Sequence, residues 1–191
     1  MSYNPKIHHR KSIRIQGYDY SQEGLYFITI CTHNRECLFG NVGVQNLEPL
    51  QPQPPKMILN DAGHAANECW LKIPEHFPNV VLHEHIVMPN HVHGIIEILG
   101  VENFQPLQDM QKRNEFQKII PRSIGSIVRG YKIGVTKWFR NVGVQNFEHL
   151  QPIWQRNYHE HIIRNERSYQ IISDYIVHNP EKWEQDKFYK L

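Results

Sequence analysis

Residues Ile86 to Ile98 read IVMPNHVHGIIEI. Pro89-Asn90 is a turn signal between two apolar runs, so Val80–Met88 and His91–Leu99 are expected to be strands joined tightly. Successive side chains of a strand point to opposite faces. Val92, Gly94, Ile96 and Ile98 therefore turn towards a core, while His91 and His93 project together from the other face. Two imidazoles fixed on one face of a strand make half of a divalent-metal site. The bare pattern is weak, because 13 histidines in 191 residues give about one His-x-His pair by chance. Three such pairs occur, at His83/His85, His91/His93 and His159/His161. Only the second combines a hydrophobic middle residue with a preceding Pro-Asn. The bland reading is a pair of hydrogen-bonded histidines on a strand surface.

Working outward, Gly24–Thr32 (GLYFITICT) is rich in strand formers. Asn60 or Asp61 can cap a helix reaching about Lys72, with Ala62, Ala65, Ala66, Cys69 and Trp70 on its apolar side. Pro74 and Pro78 bound the next turn. Ser123–Arg140 is expected as an amphipathic helix, with Ile124, Ile127, Val128, Tyr131, Val135 and Trp138 on one side and basic residues on another. A short strand is expected around Ile153-Trp154. Two further helices are expected at Asn157–Arg164 and Ser168–His178, the latter ended by Asn179-Pro180. The order is the ferredoxin-like βαββαβ arrangement, an α+β fold. Its antiparallel sheet would carry helices on one face, with C-terminal helices added and the other face free for a ligand.

The length suits one domain, residues 1–191, with a proper core. No apolar run approaches membrane-spanning length, and MSYNPKIHHRKS is too polar for a secretory signal. Cys31, Cys37 and Cys69 cannot all pair within the chain, so a reduced, cytoplasmic setting is expected. The spacing of Cys31, His33 and Cys37 fits no common zinc site. The net charge is only +2, but its distribution is uneven. From Phe116 to Phe147 there is no acidic residue, while Lys118, Arg122, Arg129, Lys132, Lys137 and Arg140 are basic. A second basic cluster holds Arg10, Lys11 and Arg14. Such local fields suit a phosphate backbone, although a solvated helix face has the same composition.

Three near-copies of one peptide interrupt the pattern: Gly43–Pro52 (GVQNLEPLQP), Gly100–Asp109 (GVENFQPLQD) and Gly143–Pro152 (GVQNFEHLQP). They bury little apolar surface and fall between expected elements, as insertions near 41–55, 100–112 and 141–152. Gly-Val-Gln-Asn-Phe-Glu-Pro can be written GGG-GTT-CAA-AAT-TTT-GAA-CCC, which beyond its first base is its own reverse complement. The second copy exchanges Gln for Glu at Glu102 and Glu for Gln at Gln105. That coupled change preserves the palindrome and has no reason at the peptide level. These loops are expected to be translated palindromic repeats, which surface loops absorb at small entropic cost.

A metal pair needs a reaction. On a helix, Tyr158 and His161 of WQRNYHEHIIRNE (Trp154–Glu166) would share a face. A tyrosine hydroxyl can attack a phosphodiester that a cation polarises. His161, Glu160 or His159 could complete the coordination. Equally, Tyr158 can be an interfacial aromatic. No glycine-rich phosphate loop is visible.

The chain contains five ordered blocks: YFITICTHNRECLFG (26–40), HIVMPNHVHGIIEI (85–98), SIGSIVRGYKIGVTKWFR (123–140), IWQRNYHEHIIRNE (153–166) and DYIVHNPEKWEQDKFY (174–189). Together they resemble the REP-associated tyrosine transposases, a single-tyrosine branch of the HUH nucleases. The resemblance implies that His91 and His93 bind Mg²⁺ or Mn²⁺ and that Tyr158 attacks single-stranded DNA, forming a 5′-phosphotyrosine. Substrates would be palindromic hairpins. Related enzymes often place a polar ligand one turn beyond the tyrosine. Four residues after Tyr158 is Ile162, so His161 is favoured as third ligand. Arg10, Lys11, Arg14, Arg129, Lys132, Lys137 and Arg140 would track the DNA backbone, with Tyr18, Tyr20, Trp138 and Trp154 as candidates to stack bases. The protein would be bacterial in type and nucleoid-associated when bound to DNA, as monomer or homodimer. Two other classes fit the same residues: a catalytically inactive hairpin-binding protein, and a metal nuclease that activates water.

Overall fold

The computed structural model describes residues 15, 17–44, 54–100, 120–142 and 152–189. Arg10, Lys11, Arg14 and most of the three repeat peptides lie outside the described residues. The main sheet holds β1 (Gly24–Cys31), β4 (Val80–Met88), β5 (His91–Ile98) and β6 (His159–Ile163), in the order β4-β5-β1-β6 and antiparallel throughout. The helices α1 (Asp61–Leu71) and α3 (Ile124–Asn141) complete the βαββαβ order, and α4 (Glu166–Val177) follows. A two-stranded ribbon, β2 (Gly40–Gly43) with β3 (Lys56–Leu59), and the short α2 (Ile73–His76) are additions the sequence did not announce.

The caps explain where the long helices begin. The Asn60 side chain accepts from the Gly63 amide, Ser123 from Ser126 and Asn165 from Ser168, each satisfying an amide that the helix leaves without a partner. One face of the sheet, with Tyr26, Ile28, Ile30, Val92 and Ile96, packs on Ala66 and Trp70 of α1 and Ile127, Tyr131 and Val135 of α3. Gly94 lets Trp70 approach: a Cβ there would lie 2.2 Å from the indole.

The other face does not stay open. Ile172 and Ile176 of α4 cover Phe27, Ile95 and Ile163, because α4 has an apolar side of its own to bury. A second difference concerns residues 157–164. None of them is helical, and residues 159–163 form strand β6, pairing with β1 from Leu25↔Ile163 to Thr29↔His159. The free edge of β1 supplies a ladder for these amides, and tertiary pairing overrides a short helical pattern. The strand expected at Ile153-Trp154 is reduced to a single bridge, Thr32↔Trp154. No helix among the described residues is long and apolar enough to cross a membrane.

Candidate metal centre

His91 and His93 leave β5 on the face covered by α4, with ring centroids 4.4 Å apart. Each is fixed by its neighbours. Asn90, at the β4–β5 turn, donates from its Nδ2 to the carbonyls of Arg35 and Phe188, at 3.2 and 2.8 Å. Its Oδ1 is therefore the acceptor for His91 Nδ1, at 2.9 Å. That bond leaves the proton on Nδ1 and a bare lone pair on Nε2, which is buried and has no hydrogen-bond partner among the described residues. His93 Nδ1 meets Thr29 Oγ1 at 2.9 Å, from the neighbouring strand. Its Nε2 lies 3.2 Å from the hydroxyl of Tyr175 on α4.

Tyr175 also donates to Asp186 Oδ2 at 3.0 Å, and Asn179 Nδ2 donates to the same oxygen at 3.0 Å. Asp186 Oδ1 accepts from the Phe188 amide. Donor atoms of His91, His93 and Asp186 all lie within 4.8 Å of one another. The Asn179 Oδ1 is buried nearby, without a hydrogen-bond partner among the described residues. Phe188 and Trp183 wall the centre, with ring centroids 4.7 and 5.9 Å from that of His91. Burial lowers the His91 pKa to about 3, and burial with the nearby His91 holds His93 well below its usual range. Both imidazoles are thus neutral and able to ligate. Burial, then the Asp186 carboxylate, pushes the Tyr175 phenol up.

The donor set fits a divalent cation. It offers two neutral imidazoles oriented by their second nitrogens, a carboxylate, and an amide oxygen that folding has left bare. Burying that oxygen and His91 Nε2 without partners costs stability unless a ligand meets them.

Tyr158 is not part of this centre. It sits on the opposite face of the sheet, in the core under α3, where a Cβ on Gly125 would lie 3.6 Å from its hydroxyl. Tyr158 lies in that core just before β6, whereas His161 stands exposed within β6, so the two separate. His161 is exposed and pairs with Phe27, one row along from the Thr29 row that holds His93. His159 lies in that row, and burial, Lys187 and Arg35 together lower its pKa. Sequence reasoning missed Tyr175, Asn179 and Asp186. All three lie within DYIVHNPEKWEQDKFY, and Asn179 stands four residues after Tyr175, the spacing sought in vain after Tyr158.

No family model matches the chain. A protein of Haemophilus influenzae, described as uncharacterized, is 48% identical over 191 residues, covering 98% of this chain and 97% of its own length. The chain belongs to the same family as that protein. Among solved structures, a REP-associated tyrosine transposase bound to a REP hairpin matches with a TM-score of 0.55 at 20% identity, covering 88% of this chain and 73% of that one. The fold is the tyrosine-transposase fold.

On this transposase fold the expected basic residues Arg129, Lys132, Lys137 and Arg140 line a groove of about 880 Å³ along α3, with Arg156 opposite them. Lys132 is turned inward. Its ammonium donates to the carbonyls of Gln155 at 2.8 Å and Asn157 at 3.1 Å, and burial brings its pKa down to about 8. Trp154 is buried with its Nε1 donating to the Lys132 carbonyl, and Tyr18, Tyr20 and Trp138 pack against the core.

Proposed function

We propose that the protein is a metal-dependent single-strand DNA endonuclease and strand transferase acting on palindromic hairpins, with Tyr175 as its nucleophile. The observation that carries this reading is the Tyr175 hydroxyl 3.2 Å from His93 Nε2, inside the His91–His93–Asp186 cluster. The fold of a transposase bound to a REP hairpin supports it.

His91 Nε2, His93 Nε2 and oxygens of Asp186 and Asn179 would hold Mg²⁺ or Mn²⁺. When bound, such a cation would supply charge neutralisation at the phosphodiester. Tyr175 Oη then forms a bond to phosphorus as the bond from phosphorus to the 3′-oxygen breaks. The phenol proton passes to Asp186 Oδ2, already its hydrogen-bond acceptor, and the departing 3′-oxygen takes a proton from solvent. The 5′-phosphate stays on Tyr175, and attack by another 3′-hydroxyl reverses the step as strand transfer. Asn90 and Thr29 keep both imidazoles aimed, and Phe27, Trp183 and Phe188 exclude water.

The test is a denaturant-stable adduct formed with single-stranded hairpin DNA and Mn²⁺. Wild type and Tyr158→Phe should form it, and Tyr175→Phe and His91→Ala should not. An adduct that survives Tyr175→Phe but vanishes in Tyr158→Phe would reverse the assignment. Cleavage with no adduct would favour activated water.

A further inference from the structure

The turn after β1 contains two adjacent non-glycine residues of positive φ, Asn34 (φ 51) and Arg35 (φ 57). L-residues adopt this region sparingly, and such conformations persist where the surroundings hold them. Thr32 Oγ1 donates to the Glu36 carbonyl at 2.8 Å, and Asn90 Nδ2 grips the Arg35 carbonyl. The result is a guanidinium held at the mouth of the metal centre. Arg35 donates to the Lys187 carbonyl at 2.8 Å and lies 5.3 Å from the centroid of the Phe188 ring. The Lys187 ammonium lies 4.8 Å from the same centroid.

The other side of this turn opens on a cleft of about 690 Å³, bounded by His33, Asn34 and Arg35 on one side and Trp154, Arg156 and Asn157 on the other. Arg156 also borders the α3 groove, facing Arg129, Lys137 and Arg140. The two clefts therefore meet at Arg156, and the first begins at Arg35, over the metal centre. Among the described residues no Asp or Glu lines either. Lys187, Arg35, Arg156, Arg129, Lys137 and Arg140 are all exposed.

We infer that these six cations form one continuous track, which leads the single strand flanking the cleavage point from the metal centre, over the Asn34-Arg35 turn, into the α3 groove. The inference rests on the nuclease reading for the position of the cleavage point. It commits to a single strand because the track passes from the α4 side of the sheet to the α3 side. A duplex has a persistence length of about 50 nm and cannot follow such a turn. A single strand can, and a row of cations with no acid among them suits its backbone. The anchoring of Lys132 to Gln155 and Asn157 sets the loop that presents Arg156.

The test separates the track from the chemistry by measuring binding in EDTA with the Tyr175→Phe protein. Fluorescence anisotropy would follow a labelled single-stranded oligonucleotide and the matching duplex. Arg156→Glu should weaken single-strand binding about tenfold, and the triple change Arg129→Glu, Lys137→Glu, Arg140→Glu more strongly. Arg156→Lys should stay near the parent, and Lys72→Glu, an exposed charge reversal off the track, should have little effect. Each lost contact should also flatten the log–log salt dependence by about 0.7. The track is overturned if Arg156→Glu binds like the parent, if Lys72→Glu is equally harmful, or if the duplex binds as tightly as the single strand. If wild type fails to cleave while Arg156→Glu still loses single-strand binding, the nuclease reading falls and the track stands.

Discussion

Asn90 is the residue on which the centre turns. Its one amide group holds a carbonyl of the Asn34-Arg35 turn, a carbonyl of the C-terminal segment and the Nδ1 of His91. Asn90→Ala strips all three partners at a buried site. Mn²⁺ affinity, followed by titration, should fall about 10- to 100-fold through lost orientation of His91. A variant with wild-type affinity would show that His91 is aimed by its strand alone. The two imidazoles also make a prediction about pH. Unfolded histidine takes up a proton near pH 6.5, whereas burial keeps folded, metal-free His91 neutral down to about 3 and His93 neutral well below 6.5. The unfolded chain thus binds more protons, and stability falls as pH drops below 6.5. The loss should approach 1.4 kcal/mol per pH unit for each imidazole, roughly, and be recovered at neutral pH. Urea denaturation of EDTA-treated protein at pH 7 and pH 5 measures it. An unchanged pH dependence in His91→Gln/His93→Gln would assign the effect elsewhere.

Among the elements, α4 matters most because it carries Tyr175, the proposed nucleophile. Its register on the sheet is set by Glu84 of β4, whose Oε2 accepts from Tyr169 at 3.0 Å and Ser173 at 3.1 Å. Glu84→Ala frees that end of the helix. We expect the rate of adduct formation to fall about 10- to 100-fold while hairpin affinity stays close to wild type, since a small misplacement of a reacting group is costly. Equal losses in both would mean that Glu84 serves stability instead. The same helix shows what a sequence can and cannot disclose. β4, β5, α1 and α3 were legible because their periodicity is long and their caps or turns are punctuated by Asn60, Ser123 and Pro89-Asn90. HEHII in β6 is five residues long and supports either period, so only the unpaired edge of β1 decides it. The placement of Tyr158 was misjudged for a related reason. Tyr158 was chosen by its spacing from a histidine along one assumed helix, whereas Tyr175 meets His93 across 82 residues of chain. That meeting is a tertiary fact which no local period encodes.

At the scale of the whole molecule, the repeat peptides fall at the joins between elements along the chain. The first begins at the last residue of β2 and ends before β3, whose last pair is Gly43↔Lys56. Excision should therefore spare Val42, which is part of β2. Replacing residues 44–55 with Asn-Gly, a turn suited to a two-residue hairpin, should leave the thermal midpoint and hairpin cleavage nearly unchanged. A large loss of either would make the peptide part of the working protein. The codons of the three copies offer an independent check, since loss of self-complementarity in all of them would remove the case for a palindromic origin.

Asn90 has one more consequence, and it concerns timing. The partners that complete the centre lie beyond residue 174: Tyr175, Asn179, Asp186 and the Phe188 carbonyl. A polypeptide halted between β5 and residue 174 has the histidine strand but neither Tyr175 nor Asp186. The assembly of this centre is therefore late: it exists only once the segment beyond residue 174 has been made and has folded back onto the β4–β5 turn.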